Sequence, residues 1–278
     1  MRASALAVVL LGCGAGSEQG ALPRVAPGTP LPPEPPASVG VPPEPSPVPP
    51  TLSLRVEPLD PPRAPSPGPR VEIVQPASGE KLETLGAARY EVRVASSELP
   101  EGAEVRIALD GQRPRRVPEG GKLALADLQP PGVPLAPGSH TVLAVVVDGS
   151  GLAYRGANDE RPPFALTEFV VGERKGAPLA ASTPRLWCLA PSGTHYGEET
   201  ERLVVDLFPV GPLSTDTLPV RVVADSGTAE LRLDPRRPHA LGGLPGGDVR
   251  VVAGGDGTLP RAECVTTLNP EVERAEER

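Results

Sequence analysis

An internal repeat limits the fold of this chain more than any other feature of its sequence. Val105-Arg-Ile-Ala-Leu-Asp110 aligns with Val220-Arg-Val-Val-Ala-Asp225 at an offset of 115 residues, and the same offset places Pro76 on Pro191. A repeat of this length predicts two units of one fold in tandem. Farther along, an offset of 108 residues aligns Leu123 and Leu125 with Leu231 and Leu233, and Pro137-Gly138 with Pro245-Gly246. The second unit is therefore expected to be the shorter one.

Both units have the polarity pattern of β-strands. Aromatic residues make up only 3% of the chain, so the cores must consist of Val, Leu, Ala and Ile, and repeated Val favours strands. Asp110-Gly111 suits a hairpin turn that needs positive φ. About seven short strands in about 100 residues predict an antiparallel β-sandwich. The strands predicted in the first unit are Val71–Gln75, Arg89–Ser96, Glu104–Leu109, Arg115–Val117, Leu123–Leu128, His140–Asp148 and Phe164–Val171.

Three stretches of the first unit resemble a known family. They are Val71-Glu-Ile-Val-Gln-Pro-Ala-Ser-Gly79, Ala108-Leu-Asp-Gly111 and Pro137-Gly-Ser-His-Thr-Val-Leu-Ala-Val-Val-Val-Asp148. They are similar to the bacterial immunoglobulin-like modules that are appended to secreted glycoside hydrolases and surface proteins. The resemblance implies an all-β chain with two tandem immunoglobulin-like sandwiches, at 70–172 and 184–270, joined by a linker at 173–183. It implies spacing, display or binding, and it carries no shared catalytic residues.

The stretch before the first unit is rich in proline. Residues 21–69 contain 19 prolines in 49 positions, with few large apolar residues. Such a segment buries too little surface to offset the entropy of ordering it, so a disordered, semi-rigid tether is predicted over 13–69. A charged tail is predicted at 271–278.

The first residues have the layout of a secretory leader, with Arg2 before an apolar run from Ala5 to Leu11. Leu10-Leu11-Gly12-Cys13 resembles the lipobox of bacterial lipoproteins. That resemblance implies removal of residues 1–12 and attachment of lipid to Cys13, which would make the membrane a partner through the lipid. The residue after Cys13 is Gly14 and not Asp. In the lipoprotein family, the absence of Asp at this position favours passage to the outer membrane of the cell envelope. A plain cleaved signal peptide with an incidental cysteine is the alternative.

The two remaining cysteines form an even pair in an exported chain. Cys188 and Cys264 lie on the first and last strands of the second unit, and the immunoglobulin-like resemblance places those strands side by side. We expect a disulfide between them, which is typical of an oxidising compartment. Two free buried thiols are the alternative.

Several function classes find no support in the sequence. No G-x-S-x-G, H-E-x-x-H, P-loop or C-x-x-C motif occurs, and all three histidines lie beside Gly, Ser, Thr or Pro, so neither an enzyme nor a cofactor is predicted. The formal net charge is −8, and no basic face supports nucleic-acid binding.

A loop over 149–163, which the second unit nearly lacks, is the preferred recognition site, because binding residues often lie on loops of a rigid sandwich. A variant of this hypothesis is a Ca²⁺ site formed by Asp148, Asn158, Asp159 and Glu160. The alternative is a solvated insertion that binds nothing. The candidate binding residues in the loop are Tyr154, Arg155, Asn158, Asp159, Glu160 and Arg161.

Two further features remain. Trp187 is predicted to point away from its own core and to contact the neighbouring sandwich. Arg113, Arg115 and Arg116 are read as a solvated hairpin tip. Together these expectations predict a membrane-anchored, non-enzymatic display or envelope-organising module, whose partner is an envelope protein or polysaccharide. The alternative is an accessory protein that binds glycan or Ca²⁺ through the 149–163 loop.

Overall fold

The structure is a computed structural model that describes residues 50–65, 67–156, 163–173, 183–255, 259 and 261–272. Every long element in it is a β-strand. A short strand, β1 (Arg55–Pro58), precedes two sandwiches. None of the helices among the described residues is long and apolar enough to cross a bilayer.

The first sandwich contains two facing sheets. The smaller sheet has the order β2-β4-β7 and the larger has the order β3-β9-β8-β5-β6, with β3 parallel to β9 and the other pairs antiparallel. A one-turn helix, α1 (Thr84–Ala87), leads into β4. The strands are β2 (Arg70–Gln75), β3 (Lys81–Leu82), β4 (Glu91–Ser97), β5 (Glu104–Leu109), β6 (Arg115–Arg116), β7 (Lys122–Ala124), β8 (Gly138–Val147) and β9 (Phe164–Val171).

The second sandwich repeats this arrangement. Its larger sheet has the order β11-β17-β16-β13-β14, and its smaller sheet has the order β1-β15-β12-β10. The strand β11 is parallel to β17, as β3 is to β9. The strands are β10 (Arg185–Ala190), β11 (Gly193–Tyr196), β12 (Leu203–Val210), β13 (Leu218–Ala224), β14 (Gly227–Leu233), β15 (His239–Gly242), β16 (Gly247–Ala253) and β17 (Ala262–Asn269).

The all-β prediction is confirmed, and most strands lie where the alternating polarity placed them. One predicted strand, Leu123–Leu128, is only half a strand, since residues Leu125–Leu128 form a 3₁₀ turn. The Ala124 N–H donates to the Asp127 carboxylate at 3.1 Å, which closes this turn. Leu125 and Leu128, three residues apart, both reach the core from it. The strand β3 and helix α1 were not predicted.

The repeat is real, but part of its alignment is wrong. Strands β5 and β13 occupy the same place in their sheets, and cis peptide bonds precede both Pro76 and Pro191. Leu231 and Leu233, by contrast, lie on β14 in the larger sheet, whereas Leu123 lies on β7 in the smaller sheet of the first sandwich and Leu125 lies in the 3₁₀ turn that follows it. In the second sandwich, β13 forms a hairpin with the long strand β14, which takes the place of the short β6. The strand that takes the place of β7 is β15.

The C-terminal end of the predicted tether departs from the expectation. Residues 50–59, which we call the strap, run along the second sandwich before the chain enters the first. Its strand β1 pairs antiparallel with β15, from Arg55 opposite Gly242 to Pro58 opposite His239. Leu52 and Leu54 are half-buried against the second core. The strap is ordered because its stretch between Pro50 and Pro58 lacks proline and alternates apolar residues; residues 1–49 lie outside the described part.

Candidate functional site: the contact between the sandwiches

The two sandwiches share an apolar cluster between their outer faces. Trp187, Leu189 and Phe208 on β10 and β12 pack against the outer face of the larger sheet of the first sandwich. Phe164 and Phe208 meet edge to face, with ring centroids 5.4 Å apart. The first sandwich contributes Ala108, Leu143, Val145, Val147 and Ala153. Trp187, which the sequence marked as an interface candidate, is only 3% exposed in this cluster.

A buried ion pair borders the cluster. The Asp206 side chain on β12 is completely buried, and its carboxylate accepts from the Arg155 guanidinium and from the Ala153 N–H at 3.0 Å. Arg155 also donates to the Leu207 carbonyl at 3.3 Å and lies over the Phe208 ring, 5.0 Å from its centroid. Burial raises the pKa of Asp206, and the charge of Arg155 opposes that rise. Arg155 therefore joins the two sandwiches.

A second ion pair lies on the same contact. Arg185 on β10 and Glu168 on β9 approach to 3.7 Å, and both side chains are largely buried. Such pairs add geometric specificity to an apolar contact, because each charge is costly to bury without its partner. The contact thus combines an apolar centre with polar groups that fix its register.

The described residues of the predicted recognition loop have structural roles. Tyr154 is 9% exposed and packs into the first core, and Arg155 belongs to the ion pair above. Asp148, a proposed Ca²⁺ ligand, accepts from the N–H groups of Ser150 and Leu152, both at 2.9 Å. Within the described ranges no group of three or more His, Cys, Asp or Glu side chains could hold a metal ion. Asn158, Asp159, Glu160 and Arg161 lie outside the described residues.

The predicted disulfide is present. Cys188 and Cys264 are bonded, with Cα atoms 5.6 Å apart and a sequence separation of 76 residues. Their strands lie close together, as the family resemblance implied, but they are not hydrogen-bonded neighbours in one sheet. Instead β10 belongs to the smaller sheet and β17 to the larger. The bond therefore ties the two sheets of the second sandwich to each other.

A cleft of about 570 Å³ opens beside the disulfide, between the hairpin Asp110–Pro114 and the second sandwich. Arg113 reaches across it, with a guanidinium nitrogen 3.1 Å from where a Cβ on Gly193 would stand. Burial, with the nearby charges of Arg115 and Arg106, lowers the pKa of Arg113. The hairpin tip is thus one wall of a cleft, which the sequence reading missed because Arg113 and Gly193 are far apart in sequence. Charged residues of both signs line the cleft, namely Asp110, Arg113, Arg261 and Glu263.

His140, which is bonded to the cleft residue Asp110, is held in a structural arrangement. His140 is bonded through Nδ1 to the Asp110 carboxylate at 2.5 Å and through Nε2 to the Ala136 carbonyl at 2.7 Å. Asp110 also accepts from the Thr141 N–H at 2.7 Å. Both ring nitrogens face acceptors, so His140 offers no free nitrogen to a nucleophile. This pair fixes the β5–β6 hairpin.

No family model matches the chain, and no curated protein matches it. Solved structures of tandem modules do. The fibronectin(III)-like modules of Clostridium thermocellum CbhA cover 75% of this chain and 100% of their own, at 15% identity and a TM-score of 0.24. The Ig1-2 module of the Drosophila receptor protein tyrosine phosphatase DLAR covers 73% and 99%, at 12% identity and a TM-score of 0.23. The sheet topology itself defines the class: two tandem immunoglobulin-like β-sandwiches.

Proposed function

We propose that this chain is an exported, lipid-anchored protein without catalytic activity that displays two joined sandwiches at the cell envelope. The observation that carries the proposal is the Cys188–Cys264 disulfide, because structural disulfides belong to oxidising compartments. Leu10-Leu11-Gly12-Cys13 supplies the anchor in this proposal. Several acyl chains on Cys13 would hold the protein to a membrane far more firmly than the marginal binding of one chain. Gly14 favours the outer membrane.

The contact between the sandwiches supports a display function. The shared apolar cluster and its two ion pairs hold the sandwiches in one arrangement, so surface groups on both keep fixed positions relative to one another. A rigid scaffold of this kind presents a surface to a partner without the ordering cost of a flexible pair. The partner in this proposal is an envelope protein or polysaccharide.

The accessory-binding alternative loses part of its support. Tyr154 and Arg155 are committed to the packing of the sandwiches, and Asp148 is committed to its own turn. Glycan or Ca²⁺ binding through the 149–163 loop would depend on Asn158 to Arg161 alone. We therefore keep display as the proposed function.

Fatty-acid labelling tests the anchor. The full chain, expressed in a Gram-negative host with an alkyne fatty acid, should acquire the label and fractionate with the outer membrane. Cys13→Ala should abolish the label. Cys264→Ser is the matched control, because it should keep the label while losing the disulfide. An unlabelled, full-length polypeptide in the soluble cytosolic fraction would contradict the proposal.

A further inference from the structure

The strap occupies a surface of the second sandwich that is built to receive an extended chain. The edge of β15 offers main-chain groups to β1 over four residue pairs. Next to it, the Leu52 N–H donates to the Thr228 carbonyl at 2.7 Å, and the Thr228 N–H donates to the Pro50 carbonyl at 2.9 Å. We call this surface, the edge of β15 together with Thr228, the acceptor groove.

Two glycines of the second sandwich make room for the strap backbone. A Cβ on Gly227 would stand 2.2 Å from the Pro50 carbonyl oxygen, and a Cβ on Gly243 would stand 3.2 Å from the Ser53 carbonyl oxygen. A side chain at position 227 would collide with the strap backbone, and one at position 243 would force a small shift of it. The acceptor groove is therefore shaped for a passing main chain as well as hydrogen-bonded to it.

The groove also selects side chains in a simple pattern. Leu52 and Leu54 pack on the second core, while all four residues of β1 are exposed. Alternate residues of an extended chain point to the same side, so two apolar residues separated by one position fit this surface. The strap is held by main-chain bonds, by its two leucines and by an exposed ion pair in which Arg202 donates to Glu57 at 2.9 Å.

We propose that the acceptor groove takes an extended strand in trans, namely the strap of a second copy of this chain. Each copy carries the sequence that already fits the groove, and every side chain of the strap is exposed or half-buried there. Strand addition to an open sheet edge is a general mode of peptide recognition. The strap in its own groove then acts as an internal competitor that limits pairing between copies. This inference does not depend on the lipid anchor.

A peptide of residues 50–59 serves as the probe for the second copy's strap. The acceptor is the full chain with Leu52→Ser and Leu54→Ser, which weakens its own strap. Saturable binding of the labelled peptide, measured by fluorescence anisotropy, is expected. The same peptide with serines at both leucine positions is the matched control and should not bind. The unsubstituted chain should bind the peptide at least about tenfold more weakly, because its own strap competes at an effective concentration of about millimolar.

A second acceptor guards against loss of fold in the first. Val56→Pro with Glu57→Pro removes two adjacent N–H donors, one of which must face β15, and leaves the two leucines in place. Formation of the Cys188–Cys264 disulfide reports folding of either acceptor. Failure of both folded acceptors to bind the peptide would overturn the proposal. Equal binding of the serine peptide, or equal binding by the unsubstituted chain, would overturn it too.

Discussion

Single buried polar groups set much of the chemistry of this molecule. His140 and Asp110 fix a hairpin inside the first sandwich, while Arg155 and Asp206 join the first sandwich to the second. The sequence predicted Arg155 to be a ligand-binding residue because it lies in a loop. No local pattern indicates that a loop arginine has a partner elsewhere in the chain. Asp206 lies inside a strand, and its partner is 51 residues away.

The His140–Asp110 pair predicts a pH dependence of stability. Burial by itself lowers the pKa of His140, but its hydrogen bonds to Asp110 and Ala136 and the charge of Asp110 outweigh burial, so this pKa is raised. The stabilisation is fully present below the unfolded-state pKa of about 6.5 and is lost as the pH rises through the folded-state value. Melting temperatures of the native chain and His140→Gln should therefore converge with rising pH.

The other buried histidine acts in the opposite direction. Burial lowers the pKa of His239, so the stability that its neutral form provides is lost as the pH falls. This loss is the same in the native chain and in His140→Gln, and it therefore cancels when the two are compared. A constant difference in melting temperature between the native chain and His140→Gln, from about pH 5.5 to about pH 8.5, would contradict the prediction.

Removal of Arg155 should be costly. Arg155→Ala leaves the buried Asp206 carboxylate without its counter-charge, which we expect to lower the free energy of unfolding by about 3 kcal/mol or more. Arg221→Ala is the matched control, since Arg221 and Glu230 pair at 2.6 Å with both side chains 63% exposed. Its cost should stay below about 1 kcal/mol. Denaturant titration measures both.

Acid should repair the Arg155→Ala variant. Because burial raises the pKa of Asp206, this carboxyl takes up a proton in the folded state more readily than in the unfolded one, and the uncompensated charge disappears. The deficit relative to the native chain should shrink as the pH falls. A deficit that does not change with pH would show that lost packing, and not the charge, explains the cost.

At the scale of elements, β8 and the strap depart most from an ordinary sandwich. Both faces of β8 are buried, one in the first core and the other against the second sandwich. The continuous apolar run from Val142 to Val147 was a signal of this second contact. The strap had a weaker signal, since Leu52, Leu54 and Val56 alternate with polar residues between Pro50 and Pro58. Nothing local identified its partner strand, which comes about 180 residues later.

Gly227→Ala should loosen the strap. Gly227 has a φ of +151° and leaves no room for a Cβ beside Pro50, whereas Gly138 has a φ of +143° with nothing within 4 Å of a built Cβ. Both substitutions carry similar backbone strain, so Gly138→Ala is the matched control. Gly227→Ala should cost about 1 to 3 kcal/mol more in the free energy of unfolding.

Hydrogen exchange locates the effect of Gly227→Ala. The Leu52 and Leu59 amides, which donate to Thr228 and Pro238, should exchange faster in this variant. The Leu125 amide, which donates to Tyr90 in the first sandwich, should keep its rate. Unchanged exchange at Leu52 and Leu59 would mean that Gly227 does not control the strap.

At the scale of the whole molecule, the sequence predicted the features that depend on neighbouring residues. It did not predict the features that depend on contacts between distant segments. Alternation of Val105, Ile107 and Leu109 gave a strand and its inner face, because side-chain direction depends only on neighbouring residues. The tandem arrangement came from the repeat. The strap, the cleft and the Arg155–Asp206 pair join segments that are remote in sequence, and no local pattern specifies them.

The shared cluster should make the two sandwiches unfold together. Trp187→Ala removes a large side chain that is 3% exposed between them, at an expected cost of about 3 to 5 kcal/mol. Calorimetry should then resolve two transitions in Trp187→Ala and one in the native chain. Trp187→Phe is the matched control: within the described part of the chain the Trp187 Nε1 has no hydrogen-bond partner, so this change removes area without breaking a bond.

Small-angle scattering adds an independent measurement of the same coupling. Loosened sandwiches sample wider separations, so the radius of gyration of Trp187→Ala should exceed that of the native chain, and Trp187→Phe should stay close to native. A single cooperative transition together with an unchanged radius of gyration in Trp187→Ala would show that the ion pairs Arg155–Asp206 and Arg185–Glu168 suffice to hold the contact. Because charge pairs of this kind specify geometry more than they stabilise it, we expect the apolar cluster to dominate.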